Sequence, residues 1–267
     1  MARAMVHAAP AVRPLSARRV VGRLLKVYGP SRVPRRLDPL AELILTILSQ
    51  STSDRNSRPA YETLLERFDD WDALRKARVG GIAKAIRRAG LANQKAPRIK
   101  QLLQRLHREH GATTLDHLEA MTDDEARAYL ASFEGVGPKT AACVLLFACG
   151  RPVLPVDTHV HRLSKRLQLI DSKTTAAAAH DLLQRQLRDS EVLDFHVLLI
   201  KHGRSVCKAI SPHCRDCVLL DRCAAGQKNL AERRLTERAI RAPRARGKAS
   251  PKAATPHVPP AKARRKK

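Results

Sequence analysis

Four of the six cysteines in this chain fall within seventeen residues, as Cys207-x6-Cys214-x2-Cys217-x5-Cys223. Thiols so crowded either close two disulfides or hold a metal. The N-terminus lacks the apolar region of a secretory signal, so a reducing compartment is expected and metal is favoured. Zinc sites ordinarily use two C-x2–4-C pairs, whereas only Cys214 and Cys217 are so paired here. The wider gaps favour a [4Fe–4S] cube with one ligand per corner, with zinc as the alternative. The remaining cysteines, Cys143 and Cys149, sit on an apolar helical stretch and read as buried, inert thiols.

Elsewhere the pattern is helical and strand signals are nearly absent. A basic amphipathic helix is expected over 17–28, with Val20, Val21, Leu24 and Leu25 on one side. Further helices are expected over 40–49, from the cap cluster Thr52-Ser53-Asp54 through Phe68, and over 96–110, ended by Gly111. Thr122 with Glu125 forms a capping box for 123–132. Helices over 139–148, 158–167, 175–188 and 192–202 complete an all-α chain. From 227 onward Pro, Ala, Lys and Arg predominate and no structure is expected.

The net charge of +26 is concentrated at the two ends. Residues 1–37 hold nine Lys/Arg and residues 238–267 hold eleven, with no acid in either stretch, which leaves 31 basic against 25 acidic residues between them. Such arms attract polyanions and add salt-dependent affinity without sequence preference, so a nucleic-acid partner is expected. No apolar run approaches the ~20 residues of a membrane span. Eight aromatic residues in all argue against a base-stacking platform for single strands.

The segment Phe133-Glu134-Gly135-Val136-Gly137-Pro138-Lys139-Thr140-Ala141 has the form of a helix-hairpin-helix. Its glycines let the backbone approach a phosphate, and Pro138 suits the first position of the helix that points its free N–H groups there. Lys139 stands at the positive end of that helix, against its electrostatic preference, which suggests use. Asp157, in Pro155-Val156-Asp157-Thr158-His159, is its candidate partner and also an N-cap.

In order and spacing, Gly135–Ala141, Val156-Asp157-Thr158-His159, His202-Gly203-Arg204 and the cysteine loop resemble bacterial endonuclease III, of the helix-hairpin-helix, Gly/Pro-rich, Asp superfamily of DNA glycosylases. The similarity runs from about residue 18 to 226 and makes iron–sulfur the expected cofactor. It implies two helical domains with a DNA-binding cleft between them. A six-helix domain would span 32–150, with the hairpin at 133–141. A cluster domain would combine an N-terminal helix at 17–31 with 151–226, leaving a basic arm at 1–16 and a basic tail at 227–267. It further implies a base-excision-repair glycosylase and abasic-site lyase, removing damaged bases of the oxidised-pyrimidine kind from duplex DNA. The alternatives are a monofunctional mismatch glycosylase and a non-catalytic DNA-structure binder. By the same resemblance Lys139 is the nucleophile and Asp157 the catalytic aspartate. Gln50 fills the gap left by an extruded base, Leu91 is the wedge opposite, and His159 lies in the matched motif. The protein would act as a monomer and, if bacterial, in the cytoplasm with the nucleoid.

Three features depart from the family pattern. Phe133-Glu134 replaces the usual Leu-Pro, about nine extra residues lie in the 113–132 region, and Leu48-Ser49-Gln50-Ser51-Thr52-Ser53-Asp54 differs from the usual Ser-Ala-Gln-Ala-Thr-Asp. An acid beside a phosphate-binding turn weakens anion binding unless its side chain pairs locally.

Overall fold

The computed structural model describes residues 13–33 and 36–241, with side chains to 236. Of the described residues, those through Leu230 form one compact unit, and those from Ala231 belong to a second. Among the described residues there are helices and no strand. In chain order they are α1 (Ala17–Tyr28), α2 (Pro39–Ser49), α3 (Asp54–Arg67), α4 (Trp71–Lys76), α5 (Val79–Ala85), α6 (Ala92–His110), α7 (Asp123–Ala131), α8 (Pro138–Cys143), α9 (Thr158–Arg166), α10 (Ala176–Gln184), α11 (Asp189–Ser205) and α12 (Ala224–Arg241). A π-helical turn, Val144–Ala148, continues α8.

Local chemistry sets most of the ends. Asp38 accepts from the N–H groups of Leu40 and Ala41 and starts α2, with Pro39 in its first turn. Thr122 and Glu125 form the reciprocal capping box of α7. Several boundaries differ from those expected: α10 ends at Gln184 rather than 188, and α11 runs from Asp189 to Ser205 rather than over 192–202. Helix α6 starts four residues earlier than expected, because Pro97 is accommodated inside it and the true stop is Leu91, in the left-handed region at φ 50°. Helix α12 occupies residues expected to lack structure, because Ala-, Leu- and Arg-rich sequence favours a helix despite its charge. The basic arm also ends earlier than expected: Leu15 is buried and the Ser16 hydroxyl accepts from the Arg19 N–H at the start of α1. Residues 1–12 of that arm and the tail beyond 241 lie outside the described residues.

Two apolar cores lie within the first unit. One gathers Leu43, Ile44, Leu64, Ile82, Ile99, Leu103, Leu130 and Leu145 from α2 to the end of α8. The other gathers Val20, Val21 and Leu24 of α1 with Leu154, Leu163, Leu183, Phe195 and Leu199. Helix α1 packs on α11, so the N-terminal helix joins the C-terminal core, as its apolar stripe requires. Leu146 belongs to the second core and Val153 to the first, so the chain crosses between them just after α8.

Candidate active site and cysteine loop

The hairpin turn delivers Lys139. Gly135 adopts φ 79°, which a side chain would strain, and Gly137 caps α8, so Lys139 stands in its first turn. Val136 is a core residue whose N–H is taken by the Phe133 carbonyl. The acid beside the turn is paired: Arg98 donates to the Glu134 carboxylate at 3.0 Å, and its side chain lies across Gly135. The feature that threatened phosphate binding is therefore locally neutralised.

Lys139 and Asp157 line one cavity of about 720 Å³, with Glu42, Thr46, Cys143 and His196 among its walls. One Asp157 oxygen accepts from the Val160 N–H at 2.7 Å and caps α9. His196 is 3% exposed and its Nδ1–H donates to the Pro155 carbonyl at 2.8 Å. Burial, only partly offset by Asp157, pushes His196 down to about 4, so it is neutral in the cavity wall. Cys143, one turn along α8, takes a hydrogen bond from Lys139, and burial raises its thiol. The sequence reading made Cys143 an inert core thiol. It is buried, but it also touches the lysine. Glu42 and His196 were missed altogether, because each lies on an unremarkable helix and only folding turns it toward Lys139.

Gln50 and Leu91 stand outside that cavity's lining. The Gln50 amide donates to the Gly135 carbonyl (2.9 Å) and the Thr140 hydroxyl (3.3 Å), which joins the end of α2 to the hairpin. Leu91 is half exposed on a left-handed backbone, and Ser51, beside Gln50, is left-handed too. A bulky residue held in that region costs free energy and tends to mark functional segments. Lys95 ties the two segments together. It is 2% exposed, and its ammonium donates to the carbonyls of Leu48 (2.8 Å), Gln50 (2.8 Å) and Ala89 (3.0 Å).

His159 lies between Arg162 and Gly203. Its Nδ1 accepts from Arg162, which also donates to the carbonyls of Gly203 and Cys207. Gly203 is required here, since a Cβ would come within 2.7 Å of the His159 Nδ1.

The four loop cysteines form no disulfide. Burial and the neighbouring Cys223, Cys207 and Cys214 push Cys217 up to about 11. Crowded thiols of this kind resist ionisation unless a cation joins them. N–H groups nevertheless converge on the sulfurs: Arg166 on Cys207 (3.3 Å), His202 Nε2 on Cys217 (3.4 Å) and the Gly226 amide on Cys223 (3.3 Å). Among the described residues no three His, Cys, Asp or Glu side chains are grouped to hold one metal ion. Four thiols, with N–H groups directed at three of them, are a donor set of the kind that a metal cluster uses.

Residues 44–188 match the HhH-GPD superfamily of base excision DNA repair proteins. A protein of Arabidopsis thaliana that carries the name of a DNA glycosylase is 38% identical over 62% of this chain, which spans 57% of that protein's length. Endonuclease III of Sulfolobus acidocaldarius is 33% identical over 68% of this chain and 80% of its own. A trapped covalent endonuclease III–DNA intermediate superposes with a TM-score of 0.70 at 27% identity, covering 81% of this chain and 99% of that one. The chain belongs to the HhH-GPD superfamily and is a DNA glycosylase of the endonuclease III kind that acts in base excision repair.

Proposed function

We propose that this glycosylase is bifunctional, removing oxidised pyrimidines from duplex DNA and then cutting the strand at the abasic site through Lys139. The observation that carries the reading is that Lys139 and Asp157, from separate helices, open into one cavity. The damaged nucleotide leaves the stack, at a cost lowest for a weakened pair, and its sugar meets Lys139. The lysine, having shed its proton, attacks C1′ while the base departs with the glycosidic electron pair. Loss of a proton and ring opening give a Schiff base, and β-elimination breaks the 3′ C–O bond. The Asp157 oxygen not committed to its cap faces the positive charge that develops on the sugar. The neutral His196 adds no cation to oppose it.

Gly135 and Gly137 seat a backbone phosphate, with the free N–H groups of the first turn of α8 directed at it. Gln50 and Leu91 enter the duplex at the extruded base. His159 acts through the Arg162 contacts that brace the cysteine loop. Cys207, Cys214, Cys217 and Cys223 hold a [4Fe–4S] cluster that stiffens a basic loop against DNA, and no step of the reaction passes through it. The two cores support a reading of two domains with the DNA in a cleft between them. No helix among the described residues is long and apolar enough to cross a membrane. A chromosomal substrate places the protein, as a monomer, in the cytoplasm with the nucleoid if its source is bacterial.

The test is borohydride trapping on a duplex with one abasic site, beside a panel of duplexes each carrying one defined lesion. Wild type should give a covalent adduct and Lys139→Ala none. Equal trapping by both would remove the lyase assignment.

A further inference from the structure

The cavity at Lys139 contains more polar chemistry than the sugar reaction uses. An extruded base arrives with its pairing edge stripped of partners, and burying that edge unsatisfied is costly. The walls must therefore offer hydrogen-bonding groups beyond Lys139 and Asp157.

Three acids line the cavity, and two are committed. Asp157 caps α9 through one oxygen and serves the sugar with the other. Asp54 is held by Arg204 at 3.1 Å. Glu42 remains. It lies in the first turn of α2, where an acid normally serves the helix end, but Asp38 already caps that helix. The Glu42 side chain instead faces the cavity and is oriented from below by Thr46, which is 5% exposed and donates its hydroxyl to Glu42 Oε1 at 3.1 Å. Only that oxygen is engaged by Thr46, which leaves Oε2 for a ligand. Burial raises the carboxyl, and the Thr46 hydroxyl, Lys139 and Arg58 pull it back only in part. Oε2 can accept from an N–H or amine on a base.

We propose that Glu42, positioned by Thr46, contacts the pairing edge of the extruded base and sets which bases this pocket accepts. The ligand is a nucleobase with a ring N–H or exocyclic amine toward Glu42. The inference rests on the glycosylase reading above, but it fails separately from it.

The experiment separates substrates with and without a base. Single-turnover base release is measured on the lesion duplex that wild type opens fastest, and strand cleavage on a matched duplex with a preformed abasic site. An abasic site presents nothing to Glu42. Glu42→Ala should slow base release about 10–100-fold, the worth of a hydrogen bond to a charged group, and slow abasic-site cleavage about ten-fold less than that. Glu42→Gln keeps the size and hydrogen-bonding capacity of the side chain, and should reorder the lesion preference. Parallel loss of both activities in both variants would show a structural or general electrostatic role and overturn the proposal. So would unchanged base release and preference. If wild type cleaves abasic sites but releases no base, the glycosylase reading is what fails.

Discussion

Substituting Lys95 by Met tests whether one buried ammonium holds in register the two segments, at Gln50 and Leu91, that are proposed to enter the duplex. Methionine fills similar space with no donor, so the carbonyls of Leu48, Gln50 and Ala89 lose their partner together. The bonds to Leu48 and Ala89 are buried. An orphaned buried group costs about 1–3 kcal/mol, so these two alone come to about 2–6 kcal/mol. Part of that is returned, because the native fold keeps an ammonium out of water, a burden also visible in its lowered pKa. A net loss of about 3 kcal/mol follows, or roughly 6–12 °C in melting temperature for a unit of this size. The local effect should exceed the global one. Amide hydrogen exchange should quicken most at Gln50–Ser51 and Gly90–Leu91, and base release should fall further than affinity for undamaged duplex. A variant that melts within about 1 °C of wild type, with unchanged exchange at both segments, would refute the reasoning.

The histidines give a pH prediction. His196 sits near 4 when folded and at its ordinary 6.5 when unfolded, so below pH 6.5 the unfolded chain binds the extra proton. Stability should therefore fall as pH drops from 6.5 toward 4, by about 2 kcal/mol at pH 5 from this residue alone. His202, also near 4, adds in the same direction, and urea midpoints that match at pH 7.5 and pH 5 would contradict both assignments. Glu134→Ala should free Arg98 beside the hairpin turn and tighten duplex binding. Its log–log salt slope should steepen by up to about one ion, and a slope shallower than wild type would be the contrary result. Gly203→Ala should cost about 1–3 kcal/mol by pushing His159 and Arg162 off the cysteine loop. With the proposed cluster bound, faster loss of its visible absorbance under chelation would register it, and wild-type retention would argue against the contact.

The features legible in sequence share one property: each is written in neighbouring residues. The box of Thr122 and Glu125, the glycines at 135 and 137, the cap of Asp157 and the spacing of the four cysteines are local statements, and the fold keeps them. Cys143 was placed correctly as buried, yet its contact with Lys139 also needed the helix to be real and the cavity to lie on that side. What sequence cannot show is convergence. Glu42 reads as a helix-start acid, Lys95 as a charge on a polar helix and His196 as one more core position. Each changes meaning only when helices far apart in the chain are packed together.

That difference bears on how the site works. The residues proposed to carry the reaction, Lys139 and Asp157, are delivered by two short turns, each fixed by its own local chemistry. The groups around them are held by contacts spanning about forty residues or more: Lys95 to Leu48, Gln50 to Gly135, His196 to Pro155. Change in the packing of α2 or α11 can therefore re-aim the base pocket while leaving Lys139 and Asp157 in place. Glu134 shows a local departure absorbed in this way, since Arg98 from α6 neutralises it without altering the turn. In a fold built like this, lesion preference should vary through α2, at Glu42 and Thr46, more readily than the lyase step varies through α8.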